Sequence, residues 1–291
     1  MDAILQQCLI GISIGGAYAL IAIGYTLVYG ILRLINFAHG DIFMMAGYFM
    51  ILLSSILPFY ISVPLTIIIT CILGILIEKA AYKPLRTAPR MSVMISAIGV
   101  SYLLQNLATY IFTALPQSYP AIPFLKVPLK LGTLSTNVAD VVTPIITVVL
   151  VLILMWILNH TKIGLSMRAV SRDYEAANLM GIKINNTISI TFAIGSILAA
   201  IGSILYFTNR ATVFPYSGSL PGLKCFVAAV FGGIGSIPGA LIGGLFIGIC
   251  ETIIKASGNS TFSDAFTFVV LIVMLLFKPT GLFGEKIIDK V

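Results

Sequence analysis

The sequence predicts an all-α integral membrane fold of about eight transmembrane helices, some of them broken or re-entrant. Composition points there first: 59% of the 291 residues are hydrophobic and only 9% are charged, against about 25% charged in a soluble domain. The apolar runs are about 20 residues long, the length of a bilayer-crossing helix, whereas barrel strands are shorter and alternate. Bundled helices also satisfy their own backbone hydrogen bonds, which lipid cannot do for them. Finally, the positive charges are clustered. Four Lys or Arg fall at residues 79–90, four at 162–183 and three after Phe277, against Lys126, Lys130, Arg210, Lys224 and Lys255 on the other proposed face. That asymmetry marks a cytoplasmic face. The net charge of +7 has no basic tail or stripe behind it, which argues against nucleic acid as a partner.

Taken in order, Gln6 to Tyr29 is a first span with Gly11, Gly15 and Ala19 four apart, a row that lets another helix approach closely. Its start, MDAILQQ, has no positive n-region, so the span is read as retained rather than cleaved. GILRLINFAHGD (Gly30 to Asp41) is the most polar interruption in the first third, and the apolar run Ile42 to Leu57 follows it directly. Asn36, His39 and Asp41 are therefore either on an unwound element lining a path through the membrane or in a cytoplasmic turn with Asp41 as helix N-cap. Spans at Pro64 to Ile77 and Ser92 to Ala114 flank the basic loop EKAAYKPLRTAPR. Gln105 and Asn106 in the second of these read as interhelical hydrogen-bonding groups. Residues 115–140 are proline-rich and read as an extracytoplasmic (periplasmic) segment of turns, with short strands around Lys126 to Leu134.

The span Val141 to Leu158 leads into NHTKIGLSMRAVSRDYEAANLMGIKIN (residues 159–186), where charge and apolar surface alternate. A single helix from Leu165 to Met180 would place Leu165, Ala169, Ala176 and Met180 within about 60° of one another, with Arg168, Arg172 and Glu175 beside them. Such a water-exposed amphipathic segment suits docking to a soluble partner, the plainer alternative being a solvated loop that only sets orientation. Gly181 is placed as its C-terminal cap.

Thr187 to Phe207 spans again, with Gly195, Ala199 and Ser203 as a second small-residue row. Next comes PGLKCFVAAVFGGIGSIPGALIGGLFIGICETIIKA, read as one broken or re-entrant span interrupted at Gly232, Gly233, Gly235 and Ser236. That interruption is either unwound backbone near a pore or a tight turn between packed helices. Ala240, Gly244 and Gly248 form another close-packing seam, and Glu251 and Asp264 read as end-of-span polar residues near the outer interface. Phe262 to Phe277 closes the bundle. The recipe near residues 28–50 returns near 227–249, a hint of an internal repeat whose breaks meet at the centre. Residues 1–291 thus form one transmembrane domain without room for an ATPase or a soluble binding domain. The four cysteines lie in apolar segments without paired spacing, and two histidines give no metal-site pattern. No nucleophile motif supports an enzyme.

Glu175-Ala176-Ala177 followed by Gly181 resembles the EAA-x3-G signature of permease subunits of bacterial ATP-binding-cassette importers. TLVYGILRLINFAHGDIFMMAGY, IGLSMRAVSRDYEAANLMGI, LPGLKCFVAAVFGGIGSIPGALIGG and the closing KPTGLFG resemble the branched-chain amino acid permease family, specifically its H-type subunit, over nearly the whole chain in order. Urea-type permeases are close, and NFAHGD looks more like the amino-acid branch. The resemblance implies one half of a heterodimeric pore in the bacterial inner membrane, completed by a homologous second permease, two cytoplasmic ATPases and a periplasmic solute-binding protein. ATP and Mg would sit on the ATPases, with no cofactor in this chain, and amino acid and lipid would be its other partners. It also implies that Arg168, Arg172, Glu175, Ala176, Ala177 and Gly181 form the ATPase-coupling helix. The fuller signature continues to a distal proline, and none stands between Gly181 and Pro215. An ATP-independent secondary transporter or channel is the rival reading, with Asp41 as its one candidate ion site.

Overall fold

The chain folds as a helical bundle in a computed structural model that describes residues 2–86, 88–120, 122–131, 134–258 and 260–284. The helices are α1 (Asp2–Leu32), α2 (His39–Ser54), α3 (Phe59–Ile77), α4 (Arg90–Phe112), α5 (Val138–His160), α6 (Lys162–Arg172), α7 (Tyr174–Leu179), α8 (Ile184–Arg210), α9 (Ser219–Gly232), α10 (Ile237–Ala256) and α11 (Ser260–Phe277). Among the described residues seven helices are long and apolar enough to cross a membrane. The other two apolar helices, α2 and α9, have 16 and 14 residues. At 1.5 Å per residue they reach about 21–24 Å, short of the ~30 Å hydrocarbon core.

Helix directions follow from which residues touch. Arg86 donates to Asn185 Oδ1 and Ser189 donates to Glu78 Oε2 (2.7 Å), so the basic loop and the start of α8 lie on one face. Gly202 of α8 packs on Ala17 and Ile21 of α1, and Gly195 packs on Gly24, so α1 runs antiparallel to α8. The amino-terminal end of α1 therefore lies on the face opposite the basic loops. Gly11 abuts Ile249, Gly15 abuts Leu245 and Gly244 abuts Ala19, so α1 and α10 are antiparallel along a glycine seam in which the backbones touch. Lys286 and Lys290 lie outside the described residues.

The stretch read as one broken span folds back on itself. Gly243 packs on Ala228 and Gly239 on Gly232, making α9 and α10 an antiparallel hairpin. The two breaks approach each other at the basic end, where Gly30 comes near Gly235, and not at the centre of the bundle. The half-length helices do meet at depth. Gly40 at the start of α2 lies against Gly218 and Gly222 at the start of α9. From there α2 climbs outward, with Gly47 against Phe207 and Val213, while α9 descends toward Gly232 and the basic face.

On the outer side β1 (Gln117–Ser118) pairs antiparallel with β4 (Thr212–Val213), and β2 (Pro128–Leu131) with β3 (Leu134–Asn137). A capping box of Asn137 and Asp140 starts α5. Asp140 also accepts from Thr136 Oγ1 (2.9 Å) and Asn209 Nδ2 (3.0 Å), tying this segment to the outer end of α8.

Of the two residues read as end-of-span polar groups, Asp264 is partly exposed but Glu251 is buried. Glu251 takes the Tyr18 hydroxyl (2.9 Å), Lys224 Nζ (3.0 Å) and Lys255 Nζ, with Arg210 at 3.6 Å. Lys224 also reaches Asp264, at 2.6 Å. Ionised groups withdrawn from water must be paired, and the chain supplies both signs from four helices at one place. Asn106 bonds the carbonyl of Tyr102 on its own helix, not a neighbour.

Candidate functional site

The segment 159–186 is not a single helix. Asp173 is extended (φ −153°, ψ 117°), and its Oδ1 accepts from the amides of Glu175 and Ala176 at 3.0 Å each, so it caps α7 and separates it from α6. An aspartate favours this capping role over a helix interior. Thr161 caps α6 through the Gly164 amide (3.2 Å). The helices turn Gly164, Met167, Val170 and Ala177 inward and leave Arg168, Arg172, Glu175 and Ala176 on the surface. Arg168 donates to Asn159 Oδ1 (3.1 Å). Leu165, Leu179 and Met180 are 61%, 88% and 83% exposed, an apolar edge beside those charges. Gly181, with φ 81°, turns the chain toward α8 in the left-handed region that glycine favours.

Beneath this surface lies a polar junction. The π-helical turn Glu78–Tyr82 and the 3₁₀ turn Lys83–Leu85 extend α3. Glu78, fully buried, pairs with Arg86 and accepts from Ser189, while Arg86 reaches Asn185. Tyr174 of α7 sits beside this pair. Burial pushes its hydroxyl pKa above the usual tyrosine value, with Arg86 opposing the rise and Glu78 adding to it. Four residues on from Glu78, the Tyr82 hydroxyl donates to Asn36 Oδ1 at 2.6 Å. Tyr174 thus lies within electrostatic reach of a set of hydrogen bonds that extends to the non-helical stretch between α1 and α2.

Of the three polar residues placed on a path, Asp41 lines a cavity that Asn36 and His39 do not reach. Asn36 is buried against Tyr82, its Nδ2 without a partner among the described residues. His39 fills the notch left by Gly24, edge-on to Tyr25 at 4.9 Å. Asp41 is not the N-cap, which is Ala38, but lies within the first turn of α2. Its Oδ2 accepts from Ser101 and its Oδ1 from Gln105 Nε2 (3.0 Å), and Gln105 also reaches Ser219 Oγ (3.2 Å). These groups edge a cavity of about 240 Å³ between α1, α2, α4 and α9. Ser101 and Gln105 stand four apart on one face of α4, a polar pair in an apolar span. The sequence showed Gln105, but gave no sign that its neighbours would be Asp41 and Ser219.

The glycine break is elsewhere, at the basic end. Gly233 (φ 105°) packs against Gly281 and Gly284, and the amides of Leu282 and Phe283 bond the carbonyls of Phe231 and Gly232 (3.0 and 2.9 Å). The KPTGLFG segment therefore occupies the backbone there, in the manner of a tight turn between packed helices. Gly235 (φ 102°) has open space around it, and Ser236 caps α10 through the Gly239 amide. The structure does not bring these residues to Asp41, because the length of α9 separates the two groups.

Half-helices starting at depth, a bundle crossed by glycine seams and a charged amphipathic turn on the basic face define a multi-pass helical membrane protein. Comparison with known proteins gives the family. Residues 8–276 match the model described as branched-chain amino acid transport system / permease component, and the chain belongs to that family. It is 37% identical to the high-affinity branched-chain amino acid transport system permease protein BraD of Pseudomonas aeruginosa, over 99% of this chain and 98% of that one. It is 38% identical to the corresponding permease protein LivH of Escherichia coli K12, over 99% and 97%. A probable branched-chain amino acid transport permease protein LivH of Methanocaldococcus jannaschii is 29% identical over 91% and 88%. No solved structure matches it.

Proposed function

We propose that this chain is the pore-forming half of an ATP-driven importer for branched-chain or similar apolar amino acids. A homologous second permease would complete the pore, two cytoplasmic ATPases would energise it, and a periplasmic solute-binding protein would deliver substrate. Family membership supports the substrate class. The observation that carries the coupling role is the α6–α7 surface: an apolar edge of Leu165, Leu179 and Met180 flanked by Arg168, Arg172 and Glu175, on the face that carries the basic loops. A helix pair with a buried inner face and an apolar, charged outer edge fits a groove on a soluble partner.

A push on α7 would pass through Tyr174 to the Glu78–Arg86 pair, and from Tyr82 to Asn36 at the foot of α2. The chain does not hydrolyse ATP in this reading. Its contribution is to convert a displacement at the membrane surface into a shift of the stretch that positions Asp41.

The test is Glu175→Lys in the assembled importer, reconstituted with ATP. Glu175 is exposed, so insertion and assembly with the second permease should be unchanged while ATP-driven uptake is lost. Uptake equal to wild type would remove the coupling role. Uphill uptake by this chain alone, driven by a proton or sodium gradient, would overturn the importer reading.

A further inference from the structure

The cavity beside Asp41 has a chemistry that its neighbours do not use up. Asp41 is 2% exposed, yet among the described residues no Lys, Arg or His forms an ion pair with it; the ion pairs there involve Glu78, Glu251 and Asp264. Its two hydrogen bonds come from neutral donors, Ser101 and Gln105, one to each oxygen. A carboxylate offers about four acceptor positions, so each oxygen keeps a direction open. Of the other buried acidic side chains, Glu78 and Glu251 are each matched by a cation of this chain and Asp140 by neutral donors, Thr136, the Asn137 amide and Asn209. Asp41 faces a cavity instead.

The rest of the lining has three distinct parts. Beyond Asp41, the polar edge holds Ser219 Oγ, which accepts from Gln105. The floor is bare backbone, where Gly40, Gly218 and Gly222 meet at the amino-terminal ends of α2 and α9. Such ends carry partial positive charge and favour a carboxylate. The remaining wall is Phe37, Ile98, Leu223 and Phe226 with the rings of Tyr25 and Tyr102, the Tyr25 hydroxyl lying beside Gly222. Ile98, Tyr102 and Leu223 are exposed and form the lip, so the cavity opens on the flank of the subunit between α4 and α9. An inorganic cation would use the acid and leave the apolar wall and the helix ends without a role.

We propose that this cavity binds an apolar α-amino acid inside the pore subunit itself. Asp41 takes the α-ammonium group, the helix ends with Ser219 take the carboxylate, and the aromatic and aliphatic wall takes the side chain. The site rests on the import reading but goes beyond it, because it gives the pore its own affinity for substrate, separate from that of the binding protein.

The test uses the assembled permease–ATPase complex in lipid nanodiscs with the binding protein left out, and radiolabelled leucine as probe. Wild type should bind leucine saturably; isoamylamine, which keeps the amine, should displace it, and isocaproate, which lacks the amine, should not. Asp41→Asn, close to isosteric, should weaken binding by about tenfold or more, as expected for losing a charge-assisted contact. Ile98→Trp leaves Asp41 untouched and fills the lip, and it should weaken binding as well. Wild-type affinity in Asp41→Asn, or no saturable binding by wild type, overturns the site. So does radiolabelled sodium bound at Asp41 without competition from leucine. ATP-driven uptake by the complete importer separates the two levels: no amino acid uptake by wild type defeats the import reading, whereas uptake by Asp41→Asn with wild-type kinetics defeats only this site.

Discussion

Replacing Glu78 by Gln tests the junction between the surface helices and the bundle. Glu78 is fully buried and holds Arg86, whose side chain is 14% exposed, and Ser189. Glutamine keeps the shape and can still accept from Ser189, but it leaves the guanidinium without a counter-charge, and Arg86 Nε already has no partner among the described residues. Removing one member of a fully buried pair costs about 3–5 kcal/mol, and a charge-assisted hydrogen bond is worth about 1.5–3 kcal/mol. Because Arg86 retains some access to water and its bond to Asn185, the cost falls below that of a fully buried pair, at about 2–3 kcal/mol. The assay is unfolding of the purified chain in mixed micelles titrated with denaturing detergent, run as a cycle with Arg86→Met and the double variant. The double variant should be destabilised by less than the two single losses added together, with a coupling of about 1.5 kcal/mol or more. ATP-driven uptake should fall in Glu78→Gln even at temperatures where the protein remains folded. Losses that add to within about 0.5 kcal/mol, with uptake intact, would refute the argument that this pair joins α7 to the bundle.

The seam between α1 and α10 gives a second expectation. A methyl on Gly15 would lie 2.8 Å from Leu245 Cα and 2.9 Å from Gly244 O, both backbone atoms that cannot turn aside. Gly15→Ala should therefore destabilise the chain by about 1–3 kcal/mol, read as a lower detergent-unfolding midpoint. At the surface, Asp173→Ala removes the cap of α7, worth about 0.5–2 kcal/mol. Uptake should drop while the unfolding midpoint of the bundle stays close to wild type, and an unchanged uptake rate would show that α7 needs no cap to act.

Much of the bundle could be read from the sequence because the signals were strong and local: apolar runs of membrane length, small residues four apart, and proline and glycine at the turns. The breaks at residues 33–38 and 233–236 were visible for the same reason. What those breaks did with the chain was not visible. A polar interruption looks the same whether the next helix continues across or doubles back, and it takes the contacts of Gly243 with Ala228 and Gly239 with Gly232 to show that α9 and α10 form a hairpin. Asp173 misled in a similar way. Helical spacing across it aligned Leu165 with Met180, but the spacing carried no information about whether the side chain would cap or continue the helix. Glu251 looked like an interfacial residue because burial depends on partners distant in sequence, here Tyr18, Arg210 and Lys224. The Asp41 cavity was least accessible of all, since its edges come from four separate helices and two of its polar groups, Ser101 and Ser219, are unremarkable in isolation.

The meeting of α2 and α9 through Gly40, Gly218 and Gly222 also limits how the middle of the protein can move. Elsewhere a packed surface can adjust by small rotations of side chains, trading one rotamer for another. Here backbone rests largely on backbone, with Met44 beside Gly218 and the Tyr25 hydroxyl beside Gly222. Any rearrangement at that depth must carry both half-helices as stiff rods, seated or unseated, like a latch with only two settings.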